Sequence, residues 1–133
     1  MKDIVEHIKA GDAFARYCGI ELLQASEGYA KAKMSIQPFH LNGAGTVHGG
    51  AIFTLADFVF AVASNSRGQL ALAAHSGIAF INAGYGGVLY AESRELSVNR
   101  HLSVYGISVT DEAGKLIADM QATAFRKDRS IVS

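Results

Sequence analysis

The 133-residue sequence has one cysteine, one proline and no excess of charge of either sign. With Cys18 alone, no disulfide can form within the chain, and nothing in the composition indicates an oxidising compartment. Lysine plus arginine and aspartate plus glutamate both number 12, so the formal net charge is zero. This balance argues against the broad basic surface that nucleic-acid binding requires, and we expect no nucleic-acid partner.

The sequence also lacks segments that would direct a chain to a membrane or across one. The first nine residues carry acidic side chains and no long apolar core, unlike a secretory signal peptide. The most apolar segment, residues 51–63, is interrupted by Thr54 and Asp57 and is too short to span a bilayer. We therefore predict a soluble cytoplasmic protein without a membrane partner.

Motifs for several common chemistries are missing as well. The five histidines show neither His-x-x-x-His nor Glu-x-x-His spacing, so a metal site has little support. There is no Gly-x-Ser-x-Gly elbow and no Walker P-loop. Cys18 has no activating partner near it in the sequence. Half of the residues are nevertheless hydrophobic, which predicts an ordered domain with a real core.

Hydrophobic periodicity predicts one dominant helix, residues 49–65, which is apolar on nearly every side and should lie buried. A shorter helix, residues 3–17, is interrupted at Gly11. The predicted strands, two before the long helix and three or four after it, are 19–25, 29–36, 70–81, 87–99, 102–110 and 115–126. This order predicts an α+β domain with an antiparallel sheet around the long helix, since a doubly wound α/β fold needs more helices.

An aspartate inside the long helix is the first candidate for chemistry. Asp57 lies in its apolar sequence, where a carboxylate is costly to desolvate, and no Lys or Arg lies between Lys33 and Arg67. Such a group either bonds a neighbouring polar group or acts as a general base or nucleophile with a pKa tuned by burial. We favour the catalytic role.

Four residues just before and at the helix start can serve structure or chemistry. Asn42 is in a Leu-Asn-Gly turn signal, and His48 can cap the helix. Either side chain could also position or polarise a substrate. Gly49 and Gly50 permit a tight turn, but they also offer backbone N–H groups at a helix N-terminus, where a developing oxyanion would be stabilised. The residues alone leave both interpretations open.

The run from Leu41 to Asp57 resembles the hotdog-fold acyl-CoA thioesterases of the phenylacetate-degradation (PaaI-type) group. The pattern in that group is Asn-x-x-Gly-x-x-His-Gly-Gly followed by Leu-x-Asp, and this chain has Asn42, His48-Gly49-Gly50 and Leu55-Ala56-Asp57 at that spacing. Similarity in length and strand order covers residues 12–126, nearly the whole chain. The resemblance implies one hotdog thioesterase domain over residues 1–133, in which a curved antiparallel sheet wraps around one long central helix.

The same resemblance implies roles for these residues. Asp57 would be the catalytic carboxylate that activates water or attacks the thioester. The Gly49 N–H, with Gly50 behind it, would donate to the oxyanion, while Asn42 and His48 would hold the thioester or the nucleophile. The expected enzyme is a homodimer or homotetramer in which Asp57 faces Asn42 and the helix start of another subunit. Its substrate would be an aryl- or medium-chain acyl-CoA, and no metal or redox cofactor is implied, because coenzyme A is part of the substrate.

The sequence departs from the PaaI-type pattern after the helix. Many members carry Thr or Ser near the position of Gly77 and Arg-Pro where this chain has Asn82-Ala83. We therefore take His75, Ser76 and Gly77 as candidate substrate-binding residues. The basic residues that could replace the missing arginine near the coenzyme A phosphates are Arg94, Arg100, Arg126 and Lys127.

Two rival functions fit the same resemblance. Hotdog hydratases also use a buried carboxylate with a histidine, and His48 would then be the base. A non-catalytic acyl-CoA binding module would bind without turnover, although the sequence shows no attached DNA-binding domain of the kind such a sensor uses. The spacing of Asp57 favours the thioesterase.

Overall fold

The computed structural model of the chain describes residues 2–131. In chain order the elements are α1 (Lys2–Gly11), α2 (Ala13–Tyr17), β1 (Ile20–Ser26), β2 (Tyr29–Ser35), a 3-10 turn (Pro38–His40), α3 (Gly49–Asn65), β3 (Gln69–Phe80), β4 (Val88–Val98), β5 (Leu102–Thr110) and β6 (Leu116–Ser130). The predicted break at Gly11 is confirmed, because Asp12 ends α1 and caps α2 by accepting a hydrogen bond from the Ala15 N–H. The predicted long helix coincides with α3.

Six strands form one antiparallel sheet in the order β1-β2-β4-β5-β6-β3. Helix α3 lies against one face of this sheet and contacts all six strands. The strand register shifts at several points, including between Ala73 and His75 in β3 and between Glu95 and Ser97 in β4. Such bulges bend strands and increase their twist, which lets the sheet curve around a helix. The predicted architecture of a sheet around one buried helix is confirmed.

The core combines large side chains from α3 with small ones from the sheet. Leu55, Val59 and Val62 of α3 are fully buried. The sheet residues that face them on β2 and β6 are mostly small, namely Ala30, Ala32, Met34, Ala118, Met120, Ala122 and Ala124, and all have 0% exposure. Small side chains on these strands leave room for the helix to lie close to the sheet, so most apolar side chains of α3 are buried.

Alternation in the sequence predicts that Leu116, Ala118, Met120, Ala122 and Ala124 share one face of β6, but Leu116 does not lie on that face. Leu116 is exposed, whereas Ile117 is buried. The register between β5 and β6 shifts at this point, since Thr110 pairs with Leu116 and Val109 with Ala118. The extra residue turns the Leu116 side chain off the core face, and a period of two read from the sequence cannot anticipate such a bulge. Among residues 2–131, no helix is long and apolar enough to cross a membrane.

Candidate active site

The loop before α3 is built around Asn42. The Asn42 Oδ1 accepts hydrogen bonds from the backbone N–H groups of Ala44, at 3.0 Å, and Thr46, at 3.1 Å. Its Nδ2 donates to the Thr46 Oγ1 at 2.9 Å. The turn closes through Gly45, whose φ of +78° favours glycine. Asn42 therefore has the structural role that its turn signal predicts, and one of its two amide hydrogens remains for a ligand.

His48 caps α3 from outside the helix. Its Nδ1 accepts a hydrogen bond from the Gly50 N–H at 2.8 Å, and its carbonyl accepts from the N–H groups of Ala51 and Ile52. A neutral imidazole whose Nδ1 accepts carries its proton on Nε2. The exposed ring thus has a donor left for a ligand, while the Gly50 N–H is already used by the cap.

The Gly49 N–H is the open donor at this helix end. It has no acceptor among residues 2–131, as the first N–H groups of a helix have none within the helix itself. The absence of a side chain also lets an aromatic ring approach: a Cβ on Gly49 would lie 3.2 Å from the Cζ of Phe80. The Gly49 N–H therefore has neither an acceptor nor a side chain of its own beside it, and an unpartnered N–H at a helix start is what an oxyanion donor needs.

A groove of about 370 Å³ opens beside this N–H. Asn42, Thr46, Val47, Gly49 and Ile52 line one side, and Phe80 with residues 81–84 lines the other. The structure thereby brings together Asn42 and Gly49, as the sequence predicts, and adds Phe80, which the sequence does not predict. No local signal marks Phe80, because the ring reaches Gly49 only through the packing of β3 against the start of α3.

Asp57 lies two turns further along the helix. Eight residues separate it from Gly49, which corresponds to about 12 Å along the axis at 1.5 Å per residue. Asp57 is half-buried and has no hydrogen bond or ion pair with any of residues 2–131. Burial raises the pKa of its carboxyl group above the ordinary value, and the nearby charge of Asp12 raises it further. Such a carboxylate has its full bonding capacity available and is a stronger base than an exposed one.

The structure places the remaining candidates on β3. His75 and Gly77 are exposed and Ser76 is half-buried, and they pair with residues 121–123 of β6. None of the three lines the groove of Asn42 and Gly49 within the single chain. The opposite edge of β3 has no partner strand among the described residues. Their role in binding substrate stays a prediction.

The groove contains no basic side chain from the described residues. Asn82, at the position of the arginine common in relatives, donates to the Leu116 carbonyl at 2.8 Å and so holds the end of β3 to β6. Arg94 is occupied by Ser108 and Asp119, whereas Arg126 donates to the Asn99 carbonyl. Within residues 2–131, no group of three or more histidine, cysteine or acidic side chains is placed to hold a metal.

Comparison with known families fits this arrangement. Residues 44–118, more than half of the chain, match the sequence model of the Thioesterase superfamily. The chain belongs to this superfamily. The matched segment contains the Gly49 donor, Asp57 and the groove residues from Thr46 to Gly84, so the family match covers most of the candidate site.

Individual relatives give a finer comparison of this thioesterase. It is 34% identical to the acyl-coenzyme A thioesterase PaaI of Escherichia coli over 116 residues, which cover 86% of this chain and 83% of that protein. The solved structure of the E. coli PaaI protein from the phenylacetic acid degradation operon superimposes with a TM-score of 0.93, over 97% of this chain and 94% of that one, at 30% identity. A Streptococcus mutans protein, smu.793, was solved bound to acetyl CoA and matches with a TM-score of 0.80 at 26% identity, over 84% and 90% of the two chains.

These likenesses confirm two predictions from the sequence. The fold is the hotdog fold of the PaaI-type group, with α3 as the central helix. The enzyme class is thioester hydrolase, which favours hydrolysis over the alternative of a non-catalytic binding module.

Proposed function

We propose that this thioesterase hydrolyses an aryl- or medium-chain acyl-CoA, with Asp57 as the catalytic carboxylate and the Gly49 N–H as the oxyanion donor. One observation carries this assignment: a half-buried carboxylate and a helix N-terminal N–H both lie on α3 without a partner among the described residues. The coenzyme A part of the substrate is supported by the name of the E. coli relative and by the acetyl CoA complex of the S. mutans protein.

In the proposed reaction, water adds to the thioester carbonyl carbon while Asp57 accepts one of its protons. The carbonyl oxygen becomes an oxyanion and accepts a hydrogen bond from the Gly49 N–H. The intermediate then collapses, the C–S bond breaks, and the departing sulfur takes up a proton, leaving a carboxylic acid and free coenzyme A. Direct attack by the carboxylate would give an anhydride instead, which water would then hydrolyse to the same products.

The distance along α3 supports a site that is shared between subunits. About 12 Å of helix separates Asp57 from Gly49, so one chain cannot direct both groups at the same carbonyl carbon. A second copy that brings its Asp57 to this helix start would complete the site. The open edge of β3, twelve residues long and largely exposed, offers backbone groups that a second copy can pair. A homodimer or homotetramer with such interfacial sites is therefore part of the proposal, and a cytoplasmic location stays a prediction.

The direct experiment measures release of free thiol from a panel of acyl-CoAs, from acetyl through octanoyl to phenylacetyl and benzoyl. We expect the largest kcat/KM for an aryl or medium-chain member. Wild-type enzyme that binds every member but releases no thiol would refute the function. Adding an enoyl-CoA tests the hydratase alternative, for which the structure offers less support because the His48 Nδ1 is already used as the helix cap.

Mixed oligomers test the shared site. Asp57→Asn and Asn42→Ala are each expected to have strongly reduced turnover as homodimers. If each site takes Asp57 from one subunit and Asn42 from the other, a heterodimer of the two variants has one intact site and recovers up to half of the wild-type rate. Verified heterodimers without recovery would contradict sharing.

A further inference from the structure

His40 is a buried histidine, only 3% exposed, at the end of the 3-10 turn that precedes the loop of Asn42. This burial is a property of one chain, so it does not depend on a second copy. The proposed reaction gives His40 no role, and its ring does not line the groove beside Gly49. Since buried polar groups are retained where their hydrogen bonds are made, the partners of this ring indicate what it does.

Both ring nitrogens of His40 are hydrogen-bonded. The Nδ1 accepts from the Gln37 N–H at 2.9 Å, so the ring carries its proton on Nε2. The Nε2 donates to the Cys18 carbonyl at 2.8 Å. Cys18 is the C-cap residue of α2, where a carbonyl has no partner within the helix. The His40 ring therefore joins the end of α2 to the 3-10 turn.

The backbone of His40 continues this connection to the start of α3. Its carbonyl accepts from the His48 N–H at 2.7 Å, a bond that closes the base of the loop. Further into the loop, the Asn42 N–H donates to the Thr46 carbonyl at 2.8 Å. His48 is the N-cap residue, and Gly49 is the first residue of α3. Two hydrogen bonds and one peptide bond thus link the end of α2 to the proposed oxyanion donor.

The loop has another anchor on its opposite side. Leu41 and Val47 pair as an isolated antiparallel bridge, which makes the loop a small two-stranded turn. The Val47 N–H donates to the Gly84 carbonyl at 2.8 Å and so ties the second of these strands to the segment after β3. Without the His40 ring, the first strand would lose its tie to α2 while the second stayed tied to Gly84. The helix start between these anchors would then change its orientation.

We propose that His40 is a positioning residue for hydrolysis, which fixes the direction of the Gly49 N–H by tying the loop to α2; this inference rests on the proposed function. Misplacement of a reacting or stabilising group by about 1 Å can cost about 10² in rate, even when the mutation lies far from the chemistry. Because the oxyanion forms only in the transition state, poor positioning of its donor should lower kcat and leave KM nearly unchanged. A residue that only supported the fold would lower the melting temperature without changing kcat of the folded enzyme.

Two variants separate the two bonds of the ring. In His40→Gln, the side-chain NH₂ reaches the position of Nε2 and keeps the bond to the Cys18 carbonyl. In His40→Asn, the amide oxygen lies at the position of Nδ1 and keeps only the bond from the Gln37 N–H. We expect kcat on the best acyl-CoA to fall by about 10- to 100-fold in His40→Asn and by less than about three-fold in His40→Gln, with KM within about two-fold in both.

The matched control is Ser66→Ala at the other end of α3. Ser66 is 2% exposed, and its Oγ accepts from the Gly28 N–H and donates to the Ala63 carbonyl, so this variant also removes two buried hydrogen bonds. It should lower the melting temperature and leave kcat unchanged. Equal kcat values for folded His40→Asn and the wild type would overturn the inference, and so would equal losses of kcat in the Asn and Gln variants.

Hydrogen exchange of the wild type tests the same connection without a variant or a substrate. The His48 N–H is bonded to the His40 carbonyl, and the Cys18 N–H is bonded to the Phe14 carbonyl in α2. If His40 joins the two segments, both N–H groups should show similar protection and the same dependence on denaturant, because one opening event releases both. A His48 N–H that exchanges independently of Cys18 would overturn the inference, whether or not His40→Asn folds. If the wild type hydrolyses no acyl-CoA, the proposed function fails separately, and the exchange measurement still decides whether His40 joins α2 to the helix start.

Discussion

The polar groups at the C-terminal end of α3 have hydrogen-bond partners, whereas two polar groups nearer its start have none among the described residues. At the C-terminal end, Asn65 is saturated: its Oδ1 accepts from the Ala71 N–H at 2.8 Å, and its Nδ2 donates to the carbonyls of Ala61 and Ala71. The Ser66 Oγ donates to the Ala63 carbonyl and accepts from the Gly28 N–H. At the N-terminal end, the Gly49 N–H has no acceptor among the described residues, and no described group bonds Asp57 further along the helix.

The charged groups differ in the same way: those near the C-terminal end are paired, whereas Asp57 is not paired with any described residue. Arg67, just past the end of α3, pairs with Glu27 at 3.1 Å and with both carboxylate oxygens of Glu95, which also accepts from the Tyr105 hydroxyl. The hydrogen bond from Arg67 holds the pKa of Glu95 below its ordinary value, so this carboxylate stays ionised. Asp57 has a raised pKa and no cation beside it. At the C-terminal end of α3 these polar groups are paired and support the fold, whereas the Gly49 N–H and Asp57 keep their capacity for a ligand.

Among the variants that test this contrast, Asp57→Asn should have the largest effect on turnover. We expect turnover to fall by a factor of about 10² to 10⁴, because the base or nucleophile is lost. Stability should rise slightly, since folding raises the pKa of Asp57 and the ionised form therefore destabilises the fold at pH values above that pKa. Single-turnover thiol release and thermal melts measure the two effects. Asp119→Asn, which removes an exposed ion pair with Arg94, is the control and should keep full activity. An Asp57→Asn enzyme with most of the wild-type rate would refute the assignment.

Gly49→Val should have the second largest effect. If the Gly49 N–H is the oxyanion donor, a side chain there would keep the substrate carbonyl away from it, and the rate should fall by roughly 10²–10³. The new side chain would also press on Phe80, whose ring tip lies 3.2 Å from the Cβ position. Comparing Gly49→Val/Phe80→Ala with Phe80→Ala alone separates the two causes. A rate loss that persists in the double variant supports the donor role. Recovery of the rate would mean that displacement of Phe80 causes the defect, and a lower melting temperature with normal turnover would make Gly49 a turn residue.

Asn65→Ala should affect stability and leave catalysis intact. Removing its side chain leaves buried backbone groups of Ala71 without partners, which costs about 1–3 kcal/mol. Denaturant titration measures the free energy of unfolding, and turnover is then measured under conditions where the protein is folded. The matched variant at the other end is Asn42→Ala, which should lower both stability and turnover because Asn42 supports the loop and also lines the groove. Equal loss of turnover in both variants would contradict the contrast between the two helix ends.

Asp12→Asn should give the smallest effect, a change in pH dependence. The charge of Asp12 is the second cause of the raised pKa of Asp57, after burial. Since Asp57 must be ionised to act, the rate rises with pH through its pKa, and removal of the Asp12 charge should move this acid limb to lower pH. Asparagine caps a helix as well as aspartate does, so α2 should persist. The profile of kcat/KM against pH tests this, with Asp128→Asn as the control, and an unmoved or upward-shifted limb would refute the coupling.

Much of the fold could be predicted from the sequence because its determinants are local. The bounds of α3 could be predicted because His48 and Gly49 mark its start and Asn65-Ser66 marks its end. Residues 29–36 alternate between apolar and polar side chains, which predicts the buried alanines of β2. The sequence Asp111-Glu112-Ala113-Gly114 is a turn signal, and the turn forms with the Asp111 side chain accepting from the Ala113 and Lys115 N–H groups. Leu116 was misplaced because one bulge between β5 and β6 reverses which side chains face the core.

The sequence by itself determined the residue types of the site and their spacing along one helix, since caps, turns and periodicity act over a few residues. It could not determine which of those polar groups would remain free. Only the tertiary structure placed Phe80, at the far end of β3, beside Gly49 and joined His40 to Cys18 by a hydrogen bond. It also placed two carboxylates beside Arg67 and left Asp57 without a partner among the described residues. The physical reason is that a polar group is satisfied or left open by partners distant in sequence, and those partners are chosen by how the sheet packs around α3.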